Sequence, residues 1–168
     1  MHTTIELVLR SIFIGAGATL VIDAWAALLR RFGVPSLNFA YLGRWIGHLR
    51  RGRLIHESIA KAAPVRRELL IGWLAHYAIG ISFAALLLAV FGLDWARAPT
   101  LGPAFLIGVG TLPAPLFILQ PALGAGIASS KTPTPAFNIL KSLATHAVFG
   151  VGLFLAAIVA TQLFPTQG

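Results

Sequence analysis

LLIGWLAHYAIGISFAALLLAVFGL, residues 69–93, contains no Asp, Glu, Lys or Arg and a single imidazole, His76. A helix of about 20 such residues spans the hydrocarbon core of a bilayer, so this stretch reads as a membrane-crossing helix. Residues 5–29, 101–127 and 138–164 have the same character. None alternates like a barrel strand, and in lipid a lone segment can satisfy its backbone only as a helix. The composition agrees: 57% hydrophobic and 11% charged residues lie outside the range of soluble domains. The expected fold is therefore all-α, with four transmembrane helices in one bundle over residues 1–168 and connections too short for a second domain.

Charge sets the expected orientation. The chain has 13 Lys and Arg against 5 Asp and Glu. Arg30, Arg31, Arg44, Arg50, Arg51, Arg53, Lys61, Arg66 and Arg67 lie between or flank the first two spans, and Lys131 and Lys141 flank the connection between the last two. Only Arg10 and Arg97 fall on the other side. The positive-inside rule then puts the basic 32–67 connection in the cytoplasm and both termini outside. Topology alone accounts for the net charge of +8, so no nucleic-acid partner is invoked. Ala24-Trp25-Ala26 has the form of a signal-cleavage site, but its basic flank follows the apolar core, the reverse of a signal peptide, and the first span is expected to be retained. Glu6 and Arg10, four residues apart, can pair at its outer end. With no Cys, and Met only at position 1, disulfides, thiolate metal sites, covalent c-type haem and thioether copper sites are excluded.

The 32–67 connection holds a second kind of helix. Gly33, Pro35 and Ser36 interrupt the first span, with Ser36 the expected N-cap of a helix over residues 37–51. At 100° per residue Phe39, Leu42, Trp45, Ile46 and Leu49 share one arc, and Arg44, His48 and Arg51 lie opposite. This pattern predicts an amphipathic interfacial helix on the cytoplasmic leaflet. Arg44, Trp45, His48, Arg51 and, further along, His56 would face anionic lipid headgroups there. A helix packed under the bundle as a plug is the competing arrangement, favoured by Asn38 among the apolar residues. His48, His56 and Glu57 could hold a metal or phosphate, although a solvated loop accounts for them.

Residues 101–127 carry Pro103, Pro113, Pro115 and Pro121 with five glycines, so this span should kink or open. Its exit, from Gln120 through Ser129, Ser130 and Thr132 to Pro135, is a candidate gate or ligand rim. An internal repeat also shows: Gly15-Ala16-Gly17 precedes His76-x-x-x-Gly80, and Gly108-Val109-Gly110 precedes His146-x-x-x-Gly150. Two spans per half make it a parallel repeat.

Ionisable groups inside a bilayer are costly and mark candidate sites. Here they are Asp23, His76 and His146, with Gln120 as a neutral companion, all expected on the cytoplasmic side of the midplane. Asp23 shares an i,i+4 stripe with Gly15 and Thr19, His76 with Gly72 and Gly80, and His146 with Ser142 and Gly150, so all three should point into the bundle. Several chemistries are open to such a set: interhelical hydrogen bonding, proton-coupled or ion-coupled movement of a small solute, haem or quinone binding by His76 and His146, or a metal held by two His and one carboxylate. A non-catalytic scaffold using the Gly-rich faces, oligomeric or partnered, is a further alternative. There is no nucleophile elbow, phosphate-binding glycine loop or zinc-protease helix, and hence no catalytic residue or cofactor to assign.

Across nearly its whole length the chain resembles a bacterial family of uncharacterised membrane proteins, domain-of-unknown-function family 2938. The resemblance rests on Gly17-Ala18-Thr19 with Asp23 and Trp25, Pro35-Ser36-Leu37-Asn38, Gly43-Arg44-Trp45-Ile46-Gly47-His48, and His56 with Ala63-Pro64-Val65. Gly72-Trp73, His76-Tyr77-Ala78-Ile79-Gly80, Gln120-Pro121, Ser130-x-Thr132-Pro133 and Thr145-His146-x-x-Phe149-Gly150 complete it. It implies a multi-pass protein of the bacterial inner membrane and no particular activity.

Overall fold

The computed structural model describes residues 3–164. The helices are α1 (Thr3–Arg31), α2 (Phe39–Leu49), α3 (Glu68–Arg97), α4 (Leu101–Gly110), α5 (Gln120–Leu123) and α6 (Pro135–Leu163). A π-helical turn, Ala114–Leu119, joins α4 to α5. Four segments are long and apolar enough to cross a membrane: Thr3–Arg31, Glu68–Arg97, Leu101–Leu123 and Pro135–Leu163. The third is broken where its prolines remove backbone donors, and it stops at Leu123 because Gly124 turns into the left-handed region at φ 96°. The second runs on to Arg97 through a kink at Gly92.

α1 packs between α3 and α6, and α6 between α1 and α4. Glycine makes the first of these seams close. A Cβ on Gly15 would strike the α3 backbone at Gly80 and Ile81, and one on Gly80 would strike the Thr19 hydroxyl. The α4–α6 seam repeats the device with Gly108 against Gly150. Each Gly-x-Gly helix thus receives the glycine of the following His-x-x-x-Gly helix.

The two ends of the bundle differ. Away from the basic connection, Ile14, Ala18, Leu87, Leu153 and Ala157 form a dry apolar core. Beyond that core lies a charged knot. Arg10, only 1% exposed, donates from Nε to Glu6 (2.9 Å), from Nη1 to the Ala96 carbonyl (3.0 Å) and from Nη2 to the Phe164 carbonyl (2.6 Å). Arg97 closes it with a 2.8 Å bond to the other Glu6 oxygen. The Glu6–Arg10 pair follows from spacing; the carbonyl partners do not. They are the free C-terminal carbonyls of α3 and α6, which need donors, and one guanidinium ties three helix ends together.

At the basic end α2 docks on α3 through glycine. A Cβ on Gly43 would land on the Glu68 carbonyl, and one on Gly72 on the Phe39 carbonyl. Arg44 makes a bidentate pair with Glu68 (2.8 and 2.7 Å) and donates to the carbonyls of Ile59, Ala60 and Ala62. The Glu68 carboxylate holds the Arg44 guanidinium above its ordinary pKa. The N-cap is Asn38, whose side-chain oxygen accepts from Ala40 N–H at 3.0 Å. Ser36 lies two residues too early and instead accepts from Arg30.

The expected outward polar face of α2 is corrected in one respect. Arg51 is exposed, but Arg44 turns into the protein and His48 and His56 are only 4% and 2% exposed. The two imidazoles meet at 2.8 Å, His48 Nδ1 to His56 Nε2, and stack with centroids 5.0 Å apart. His56 reaches α5 twice, through its backbone N–H to the Ala122 carbonyl (3.0 Å) and through Nδ1 to the same oxygen (3.3 Å). Gly124 lets the 56–57 backbone approach this closely. Residues 53–57 are thus a strap joining α2 to the broken span, and Trp45 fixes its start by donating to the Leu54 carbonyl at 2.8 Å. His56→Phe keeps the ring volume and removes both side-chain hydrogen bonds. The expected loss is about 1–3 kcal/mol, read as a lower thermal midpoint in mild detergent.

Candidate functional site

The α1–α3 seam changes character one turn beyond its glycine contact. Thr19 donates its hydroxyl back to the Gly15 carbonyl at 2.8 Å, which leaves no side-chain donor of its own for the next turn. There Asp23 faces α3. His76 Nε2 lies 3.0 Å from Asp23 Oδ1, and the Tyr77 hydroxyl donates to Oδ2 at 2.9 Å. Consecutive residues of α3 therefore grip both oxygens of one carboxylate. Phe39 of α2 covers the His76 ring at 4.5 Å between centroids, and Trp73 stands edge-on to it at 6.0 Å. The docking of α2 through Gly43 and Gly72 is what brings Phe39 over the imidazole.

Asp23 also lines a cavity of about 320 Å³, together with Ala26, Arg30, Asn38, Phe39 and Trp73 among others. Asp23 and His76 are both about four-fifths buried, with side chains 19% and 17% exposed. A carboxylate hydrogen-bonded to an imidazole at such a depth can pass a proton between the two while the Tyr77 hydroxyl holds its second oxygen in place.

The other two residues expected at the site lie elsewhere. His146 is on the α4–α6 seam, with Nδ1 3.0 Å from the Gly108 carbonyl and 3.2 Å from the Thr111 hydroxyl. Gln120 accepts from Ser129 Oγ at 3.0 Å and donates to Ser142 Oγ at 3.4 Å, tying the 127–132 exit to α6. Each glycine seam has a histidine four residues before its second glycine, but His76 bonds a carboxylate, Asp23, whereas His146 bonds the Gly108 carbonyl and the Thr111 hydroxyl. Asp23, His76 and His146 do not assemble as one set of three ligands. Among the described residues no group of three His, Asp or Glu is placed to hold a metal ion. Depth along the spans could not assign these residues to separate seams, because both seams use the same small-residue stripe. Tyr77 and Arg30 were missed. The signal for Tyr77 was adjacency: the residue after His76 sits only 100° further round the helix.

Compared with known proteins, residues 12–160 match the model of a family described as a protein of unknown function, DUF2938. No curated protein and no solved structure matches the chain. The match covers the glycine seams, the Asp23–His76–Tyr77 group, the docked α2 and the histidine strap, and the chain belongs to the DUF2938 family.

Proposed function

We propose that this chain is a multi-pass inner-membrane protein that binds a small polar solute in the Asp23 cavity, with Asp23 and His76 exchanging a proton as the solute enters or leaves. The 32–67 connection faces the cytoplasm and both termini lie outside, an orientation supported by the distribution of Lys and Arg. The single observation that carries the reading is Asp23 itself. Its carboxylate is held by His76 and Tyr77 on the protein side and still opens into a cavity with Arg30 and Asn38 on its wall. Beyond these two partners Asp23 has room beside it for a further one. The cavity lining reaches Arg30, Leu37 and Asn38 at the basic end, which supports exchange of the solute with the cytoplasmic side.

A thermal-shift panel of small amines, carboxylates, zwitterions and sugars on the purified chain tests the reading. A solute present at 100 times its Kd adds about 2.7 kcal/mol to the folded state, which a midpoint measurement resolves. At least one class should stabilise the wild type, and Asp23→Asn should abolish that shift while keeping the shape of the side chain. The heat of binding should also vary with the ionisation enthalpy of the buffer, the mark of proton exchange. A panel in which nothing stabilises the protein, or in which Asp23→Asn responds like wild type, contradicts the proposal.

A further inference from the structure

We propose that the Asp23 cavity selects a short zwitterion, its ammonium against Asp23 and its anionic group against Arg30; this names the solute of the proposed function and rests on that reading. Asp23 and Arg30 are seven residues apart on α1, two turns, so they share one face about 10 Å apart along the axis. Helical side chains lean toward the N-terminus, which lets the long Arg30 arm reach back toward Asp23. Both line the same cavity of about 320 Å³.

Their unused bonding capacity is complementary. Asp23 accepts one bond on each oxygen, from His76 and from Tyr77, and each carboxylate oxygen has a further lone pair. Arg30 donates to the neutral Ser36 hydroxyl at 3.0 Å, and among the described residues no carboxylate pairs with it. The rings of Phe39 and Trp73 line the same cavity, and aromatic faces favour an ammonium group. A simple cation leaves Arg30 unmatched, and a simple anion meets Asp23; a molecule carrying both charges answers both. The same chemistry has two sources, a free amino-acid-like solute or the ethanolamine phosphate head of a lipid. Leu37 and Leu69, which also line the cavity, are 40% and 54% exposed and would lead a lipid's chains outward.

Calorimetry on the full chain with 4-aminobutyrate, butylammonium and butyrate, one carbon skeleton with both charges or either alone, decides the matter. In phosphatidylglycerol nanodiscs 4-aminobutyrate should bind tighter than either single-charge analogue by about tenfold or more. Arg30→Gln, at an exposed position, should lower it to the level of butylammonium without weakening butylammonium itself, and Asp23→Asn should lower it to the level of butyrate. Phosphatidylethanolamine nanodiscs separate the sources: competition there identifies a lipid head, and unchanged binding identifies a free solute, each supporting a zwitterion. Butylammonium binding as tightly as 4-aminobutyrate, indifferent to Arg30→Gln, overturns the zwitterion and leaves a solute site. Absence of binding by all three probes, with no difference between the two lipids, overturns both.

Discussion

Arg10→Ala lowers the stability of the chain by about 3–5 kcal/mol, because it removes one of the three donor bonds to the buried Glu6 carboxylate and leaves the end carbonyls at Ala96 and Phe164 without their donor. The effect exceeds that of an ordinary ion pair for a geometric reason. Three donors of one guanidinium reach Glu6 and the carbonyls of Ala96 and Phe164, on three different helices. Arg97, 38% exposed, already donates to both Glu6 oxygens (3.2 and 2.8 Å) and makes no bond to the Ala96 or Phe164 carbonyl, so it does not replace those two contacts. Arg10→Lys, with a single ammonium, should recover only part of the loss, whereas Arg97→Lys should cost far less. Detergent-denaturation midpoints of the three variants check the order; equal effects at positions 10 and 97 would show that the carbonyl bonds contribute little.

Gly43→Leu has the second large effect, and it acts on the site. A side chain there must displace the Glu68 carbonyl and the Gly72 amide, which are backbone atoms that cannot rotate away. Overpacking of this kind costs about 1–3 kcal/mol where neighbours can shift, and here the outcome is undocking of α2. Phe39 then leaves His76, Arg44 leaves Glu68, and the strap loses its hold on α5. Binding in the Asp23 cavity should vanish along with the stability. Gly110→Ala is the control: a Cβ there meets nothing within 4 Å, so the variant should be neutral or slightly stabilised, by up to ~1 kcal/mol of helix propensity. If Gly43→Leu binds solute like wild type, α2 is not part of the site.

The fold was legible because its determinants are periodic or additive. Apolar runs give spans, prolines give the break in the third, and small residues at i,i+4 give the seams. Nothing comparable distinguishes a helix lying on a membrane from one docked on protein, since both need an apolar arc. What separates them here is Gly43 facing Gly72, a pairing between positions 29 residues apart in the chain that becomes visible only once the helices are placed. His48 and His56 are the instructive failure. Read singly, each polar residue in a basic connection belongs to solvent; as a pair, one ring satisfies the other and the Ala122 carbonyl satisfies the second, so both can be buried. Asp23 and His76 were found because bilayer depth makes an ionisable group conspicuous, and His146 failed to join them because depth carries no information about azimuth.

The chain contains no cysteine, which makes the central claim directly measurable. Ala26→Cys places a lone thiol on the cavity wall, and a membrane-impermeant maleimide can be offered to either face of sealed vesicles. Labelling should occur from the face that carries the 32–67 connection, and 4-aminobutyrate should slow it. No labelling from that face, or equal labelling from the opposite one, would contradict a solute cavity at Asp23 open to the basic end.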